Sequence, residues 1–171
     1  DNDAVMSAVV LAQLLNQVEF NGCTYEARAL GPLPAESAKL LADAGLPEPM
    51  LLDAIEPAAE GEDPQQVILT DHNEPGQSVA GLANAQIVGV VDHHRFGDFT
   101  TAAPLTIVAM PWGSSCTVVA KLFEVLGQEL TDTQAKLLLS AMMTDTLMLK
   151  SPTTTDVDRA TAAKLGEQLG V

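Results

Sequence analysis

The sequence predicts an α/β fold: a doubly wound, mainly parallel sheet with helices on both faces. Three observations carry that expectation. Segments that read as strands alternate with segments that read as helices along the chain. Two short apolar runs, QVILT (Gln66–Thr70) and IVGVV (Ile87–Val91), do not alternate with polar residues, the pattern of strands buried on both faces in a parallel sheet. Aromatics make up only 4% of the chain, so its packing must come from aliphatic strands and helices. A length of 171 residues suits one domain with a sizeable core, or slightly more.

Each element has its own justification. Ala4–Gln17 is apolar nearly all round and reads as a buried helix, with Asp1 and Asp3 at its start. Cys23–Leu30 alternates and ends at Gly31, as a strand does. Pro34–Gly45 is an amphipathic helix with Pro at its entry and Gly at its exit. Pro49–Ile55 reads as a short strand, and Glu56–Gln65 as an acidic loop. Gln66–Thr70 and Gln86–Val91 are the buried strands, with a short helix over Val79–Ala85 between them. Pro104–Ser115 is a further strand that leads through Gly113 into a helix over Cys116–Gly127. Thr131 caps a helix over Asp132–Leu149, and the Lys150–Asp156 loop caps the last helix, Val157–Gly170. Repeats, low-complexity segments and linkers are absent from the pattern.

Composition narrows the function. A net charge of −15 argues against nucleic acid as a partner and makes cations a natural one. Cys23 and Cys116 form no CxxC pair and read as reduced thiols in a cytoplasmic protein. The sequence has neither a membrane-spanning apolar run nor a secretory signal pattern. It opens almost directly in a helix, without an initiator Met, as an excised piece would.

In open parallel sheets, ligands gather at the carboxyl ends of the strands, and four polar clusters fall at such ends or near helix termini. Asp1 and Asp3 either cap a helix or converge as ligands. Asp71, His72 and Glu74 follow a buried strand and form either a turn or a ligand set. Asp92, His93, His94 and Arg95 are the rarest of the four. One imidazole can turn to a metal and the other to a ligand, with Asp92 orienting a ring, or both can sit in a solvated loop. Asp145 ends an apolar run, where a buried carboxylate needs a cation, and Lys150 with the hydroxyls of Ser151–Thr155 follows it. WGSSCT (Trp112–Thr117) is either a backbone anion site or an ordinary Ser-capped helix start. Grouped together, Asp1, Asp3, Asp71, His93 and Asp145 cannot all sit close without divalent cations between them. Mixed carboxylate and imidazole donors suit Mn²⁺, Fe²⁺ or Co²⁺, and a shared Asp suits a two-metal hydrolytic site.

The Asp-x-Asp before a buried helix, VILTDHNE, VVDHHR, and LLSAMMTDTLMLKSPTTT occur in an order that closely resembles the DHH phosphoesterase superfamily. They resemble the manganese-dependent, family II inorganic pyrophosphatases in particular. The resemblance runs from Asp1 to nearly Val171 and implies hydrolysis of pyrophosphate to two phosphates. It implies two Mn²⁺ (or Co²⁺) per site, a metal-bridging hydroxide as nucleophile, and additional Mg²⁺ carried in with substrate. Asp1 would bind the first metal and Asp3 the second, Asp71 would bridge them, and His93 and Asp145 would complete the second metal's shell. His94 would face the phosphate, with Arg95 and Lys150 as further substrate contacts and Asp71 and His94 as the catalytic pair. Family members also carry a first strand and a His four residues before the first Asp, in a Gly-His-x-Asn-Pro-Asp context, whereas this sequence begins at that Asp. It also ends where a basic, phosphate-gripping C-terminal domain follows in the family. Residues 1–171 are therefore expected to be the catalytic N-terminal domain, incomplete at its start and inactive or weakly active alone. The resemblance also suggests a homodimer, while the charge and the lack of a membrane-spanning run argue against a nucleic-acid or membrane partner. An exopolyphosphatase or other DHH phosphoesterase is the alternative within enzymes, and a non-catalytic metal- or nucleotide-binding regulatory module the alternative outside them.

Overall fold

A computed structural model describes residues 1–171. Five α-helices and five strands follow in the order α1 (Asn2–Gln17), β1 (Arg28–Ala29), α2 (Ala35–Asp43), β2 (Met50–Leu51), β3 (Gln66–Thr70), β4 (Gln86–Asp92), β5 (Thr106–Ala109), α3 (Ser115–Val125), α4 (Asp132–Asp145) and α5 (Asp156–Leu169). Every strand pairing is parallel. The strands form two sheets, β3-β4-β5 and the pair β1-β2, with a single bridge between Ala54 and Ala80 outside them. The fold is α/β, as the sequence predicts.

Apolar side chains of β4 divide the core. Val91 joins the larger cluster, made with α1, α3, α4, α5 and Leu41 of α2. Val90, one residue earlier, points to the opposite face and joins Ile55, Leu69, Val79 and Leu82. The α-helices cover the first face, and the helical cover of the second is a 3₁₀ turn at Leu82–Asn84. Helix α1 earns its central place by sequence: Met6, Val10 and Leu14 are fully buried between its neighbours. No helix is long and apolar enough to cross a membrane.

Several elements are shorter than the sequence pattern suggests. Only Arg28–Ala29 and Met50–Leu51 are strand within the two expected segments. Pro32, Pro34, Pro47 and Pro49 flank them, and proline cannot donate to a ladder. Tyr25, expected in the first strand, exchanges both backbone bonds with the side chain of Asn16 instead. Strand β4 is buried at its carboxyl half, whereas β3 is only partly so and Ile107 of β5 is exposed, because β3 and β5 are sheet edges. The expected helix over Asp132–Leu149 stops at Asp145. Leu147, Met148 and Leu149 all take left-handed φ and reverse the chain. Within the Lys150–Asp156 loop, Thr155 is the residue that caps α5.

Phe123→Ala should lower stability by about 3–5 kcal/mol, since Phe123 is fully buried where α3 meets the core. Urea unfolding should show a lower midpoint with unchanged m; a loss below about 1 kcal/mol would mean the α3 face is not packed as described.

Candidate metal centre

Local structure brings four side chains to the carboxyl edge of the larger sheet. Strand β3 ends at Thr70, and Asp71 then adopts a left-handed φ of 62° that turns its carboxylate across the strand end. Such backbone is uncommon outside Gly and tolerated in Asp and Asn. Strand β4 ends at Asp92, so His93 leaves the sheet beside it. Asp3 lies in the first turn of α1, and Asp145 is the last residue of α4. His93 Nε2 sits 3.4 Å from Asp71 Oδ1, 3.8 Å from Asp3 Oδ2 and 3.8 Å from Asp145 Oδ2. Two sets of ligand-type atoms lie within 4.8 Å of one another: Asp3, His93 and Asp145, and Asp71, His93 and His94.

Each imidazole is oriented by an acceptor. Trp112 O can only accept, so His93 Nδ1 donates to it at 2.9 Å, leaving Nε2 toward the carboxylates. His94 Nδ1 donates to Asp92 Oδ1 at 2.9 Å, and its ring is half exposed. Asp92 is itself fully buried. It also accepts from the backbone N–H groups of His93 and His94 and from Asn73 Nδ2. Asn73 further donates to Arg95 O and accepts from Gly97 N, which pins the loop after the histidines.

Asp3 is held by the start of α3. Its carboxylate accepts from Ser114 Oγ (2.6 Å), Ser115 N (2.7 Å) and Cys116 N (3.0 Å), where the helix dipole favours negative charge. Ser115 Oγ donates to Asp71 Oδ1 at 2.9 Å, so one helix start positions two carboxylates.

The charges are unbalanced. Burial pulls the His93 imidazole down, but its bonds to Asp71 and Trp112 and the charges of Asp3 and Asp71 outweigh that and hold it up at about 9. Burial pushes Asp145 up, and the Asp3 charge adds to it, to about 6 against the pull of His93. Burial also raises Asp71 despite its bonds to His93 and Ser115. One imidazolium thus faces more carboxylate than it can neutralise. An all-oxygen-and-imidazole donor set in that condition fits a divalent cation such as Mn²⁺.

The remaining sequence-expected residues lie as follows. Asp1 is exposed and caps α1, accepting from Ala4 N at 3.0 Å. It shares a cavity of about 310 Å³ with Asp71 but belongs to neither ligand set. His72 is turned away, donating to Thr70 O and accepting from Ser78 Oγ. Arg95 is exposed and pairs with Glu74 at 3.5 Å. Lys150 is exposed, and its side chain makes no hydrogen bond or ion pair. Ser114 and Ser115 are the residues that sequence reasoning did not place in the site. WGSSCT does bind an anion, but the anion is Asp3 of the same chain. Cys116, buried against Asp3, has its thiol pushed well up by burial and neighbouring charge, and Cys23 is exposed and free.

The N-terminal domain of the DHH family matches residues 1–147, and the chain belongs to that family. It is 40% identical over 167 residues to a Lactobacillus helveticus "probable manganese-dependent inorganic pyrophosphatase", covering 98% of this chain and 51% of that protein. A Lactobacillus acidophilus protein of the same description is 39% identical over 171 residues, covering 100% of this chain and 52% of that one. A crystal structure described as a Methanococcus jannaschii "putative family II inorganic pyrophosphatase" superposes with a TM-score of 0.84 at 35% identity, over all of this chain and 54% of that one. A Bacteroides fragilis exopolyphosphatase-related structure shares the fold, with a TM-score of 0.70 at 18% identity over half its length. The chain spans about half the length of the curated relatives it matches.

Without metal, the His93 and Asp145 contributions to stability should fall as pH rises. The His93 contribution is fully present below its ordinary value of 6.5 and is lost as pH passes its folded value of about 9. The Asp145 contribution is present below 3.8 and lost as pH passes about 6. Urea unfolding in chelator should therefore show a decline between pH 6.5 and 9.5, of at most about 3 kcal/mol. His93→Ala should flatten that decline, and an unchanged slope would contradict the electrostatic description of the site.

Proposed function

We propose that the chain is the metal-binding catalytic domain of a manganese-dependent inorganic pyrophosphatase, which hydrolyses pyrophosphate to two phosphates. One observation carries this reading: Asp3, Asp71 and Asp145 converge on His93 Nε2 within 3.8 Å. It gains support from the names of the relatives at 39–40% identity. Asp3, His93 and Asp145 would hold one Mn²⁺ (or Co²⁺). Asp71, which faces both imidazoles and the cavity beside Asp1, would be shared with a second ion held by Asp1. Such ions supply a nucleophile at neutral pH and offset charge developing on phosphoryl oxygens, and Mg²⁺ would accompany the substrate.

The chain's own residues do the rest. Asp92 fixes the His94 ring through Nδ1, so that Nε2 is presented on the open side to a phosphate oxygen. Asn73 holds both Asp92 and the backbone of Arg95, keeping Arg95, whose guanidinium pairs with Glu74, next to His94 as a further phosphate contact. Lys150 adds positive charge from the segment after Asp145. Positioning and charge of this kind provide most of the catalysis available to phosphoryl transfer. The same reading has the protein act in the cytoplasm as a homodimer, with a second domain completing the grip on substrate.

In the full-length protein with Mn²⁺, phosphate release from pyrophosphate should exceed release from long polyphosphate. Asp71→Asn and His93→Ala should each reduce it by roughly two orders of magnitude or more. Preference for polyphosphate would favour the exopolyphosphatase alternative. Full activity in His93→Ala would overturn the assignment.

A further inference from the structure

Asp158 lies in the first turn of α5, is not among the residues assigned above, and is fully buried. Its Oδ1 accepts from Thr117 Oγ1 at 2.6 Å. Its Oδ2 accepts from the backbone N–H and the hydroxyl of Thr155, both at 2.7 Å, and from Gly113 N at 2.9 Å. The bond from Thr155 N–H, together with Asp158 N–H donating to Thr155 Oγ1 at 3.4 Å, forms a capping box, which needs nothing from residue 113. The bond to Gly113 goes further. It engages the N–H of the peptide whose carbonyl, Trp112 O, accepts from His93 Nδ1 at 2.9 Å.

A trans peptide is planar, and its N–H and C=O point in opposite directions. Fixing the N–H of Gly113 therefore fixes the direction of the Trp112 carbonyl. A carboxylate on the N–H also polarises the amide and strengthens the carbonyl as an acceptor. Gly113 permits the approach: a Cβ there would lie 3.0 Å from Asp158 Oδ2 and 2.9 Å from Thr146 Cγ2.

We propose that Asp158 is a positioning residue for His93, acting through the Trp112–Gly113 peptide so that Nδ1–H is held and Nε2 is kept facing Asp3, Asp71 and Asp145. The proposal rests on the reading of His93 as a metal ligand. Carboxylates that orient ligand imidazoles through Nδ1 usually do so directly. Here a peptide group stands between the two, and the carboxylate comes from a helix that contributes no ligand.

The test compares Asp158→Asn and Gly113→Ala with Thr131→Ala, which removes the analogous cap of α4 away from the site. In the metal-free full chain, NMR follows the His93 Nδ1–H proton, which the Trp112 carbonyl shields from exchange in either charge state of the ring. Calorimetry then gives Mn²⁺ affinity. Asp158→Asn and Gly113→Ala should speed exchange of that proton about tenfold or more and weaken Mn²⁺ binding about 10–100-fold. Thr131→Ala should change neither while lowering stability. If Asp158→Asn does not fold, Gly113→Ala decides alone, since it keeps the Asp158 carboxylate in the chain and forces it away from the Gly113 N–H. A protected proton and unchanged Mn²⁺ affinity in the folded variants would overturn the proposal. Wild-type chain that binds no Mn²⁺ would instead overturn the metal reading, and proton exchange would still decide the link from Asp158 to His93.

Discussion

A surplus of buried negative charge at the carboxyl edge of the sheet is the constraint on which the rest of the structure depends. Asp3, Asp71 and Asp145 surround one imidazole nitrogen at 3.4–3.8 Å. Burial, with the neighbouring Asp3 charge adding to it, raises both Asp71 and Asp145, and a single imidazolium is one positive charge against three carboxylates. Such an arrangement persists only where surrounding groups hold each charge in place and a cation completes the balance.

Helix starts do most of the holding. The start of α3 binds the Asp3 carboxylate through two backbone N–H groups and Ser114, and joins Asp3 to Asp71 through Ser115. The same contacts dock α1 against α3 across the largest apolar cluster, so packing and site geometry are fixed together. The start of α5 holds Asp158, where burial would raise the carboxyl. The bonds from Thr117, Thr155 and Gly113 outweigh that and keep it below the usual carboxylate range. Asp92 follows the same logic, with Asn73 and His94 offsetting its burial. The site therefore has one layer of carboxylates left short of positive charge and a second layer whose charge is fully answered by donors.

Much of this was legible in the sequence. The apolar runs before Asp71 and Asp92 identified parallel strands and located the polar clusters at their carboxyl ends, because period and burial are written into local composition. The meeting of Asp3, Asp71, His93 and Asp145 followed from resemblance and charge. Which atoms hold them did not. Ser114 looked like a helix cap and is one, and the fact that its helix start binds Asp3 depends on packing across 111 residues. Proline placement shortened β1 and β2 more than their alternation implied. Apolar residues at helical spacing carried the expected α4 past Asp145, where three successive left-handed residues turn the chain instead. That reversal is a tertiary choice that places Asp145 at a helix end, facing His93.

The most direct measurement is anomalous X-ray diffraction from crystals grown with Mn²⁺. The account predicts a strong peak within coordination distance, roughly 2.0–2.3 Å, of His93 Nε2 and of oxygens from Asp3 and Asp145, with Asp71 beside it. Crystals saturated with Mn²⁺ that show no peak there, with His93 Nε2 still facing bare carboxylates, would contradict it.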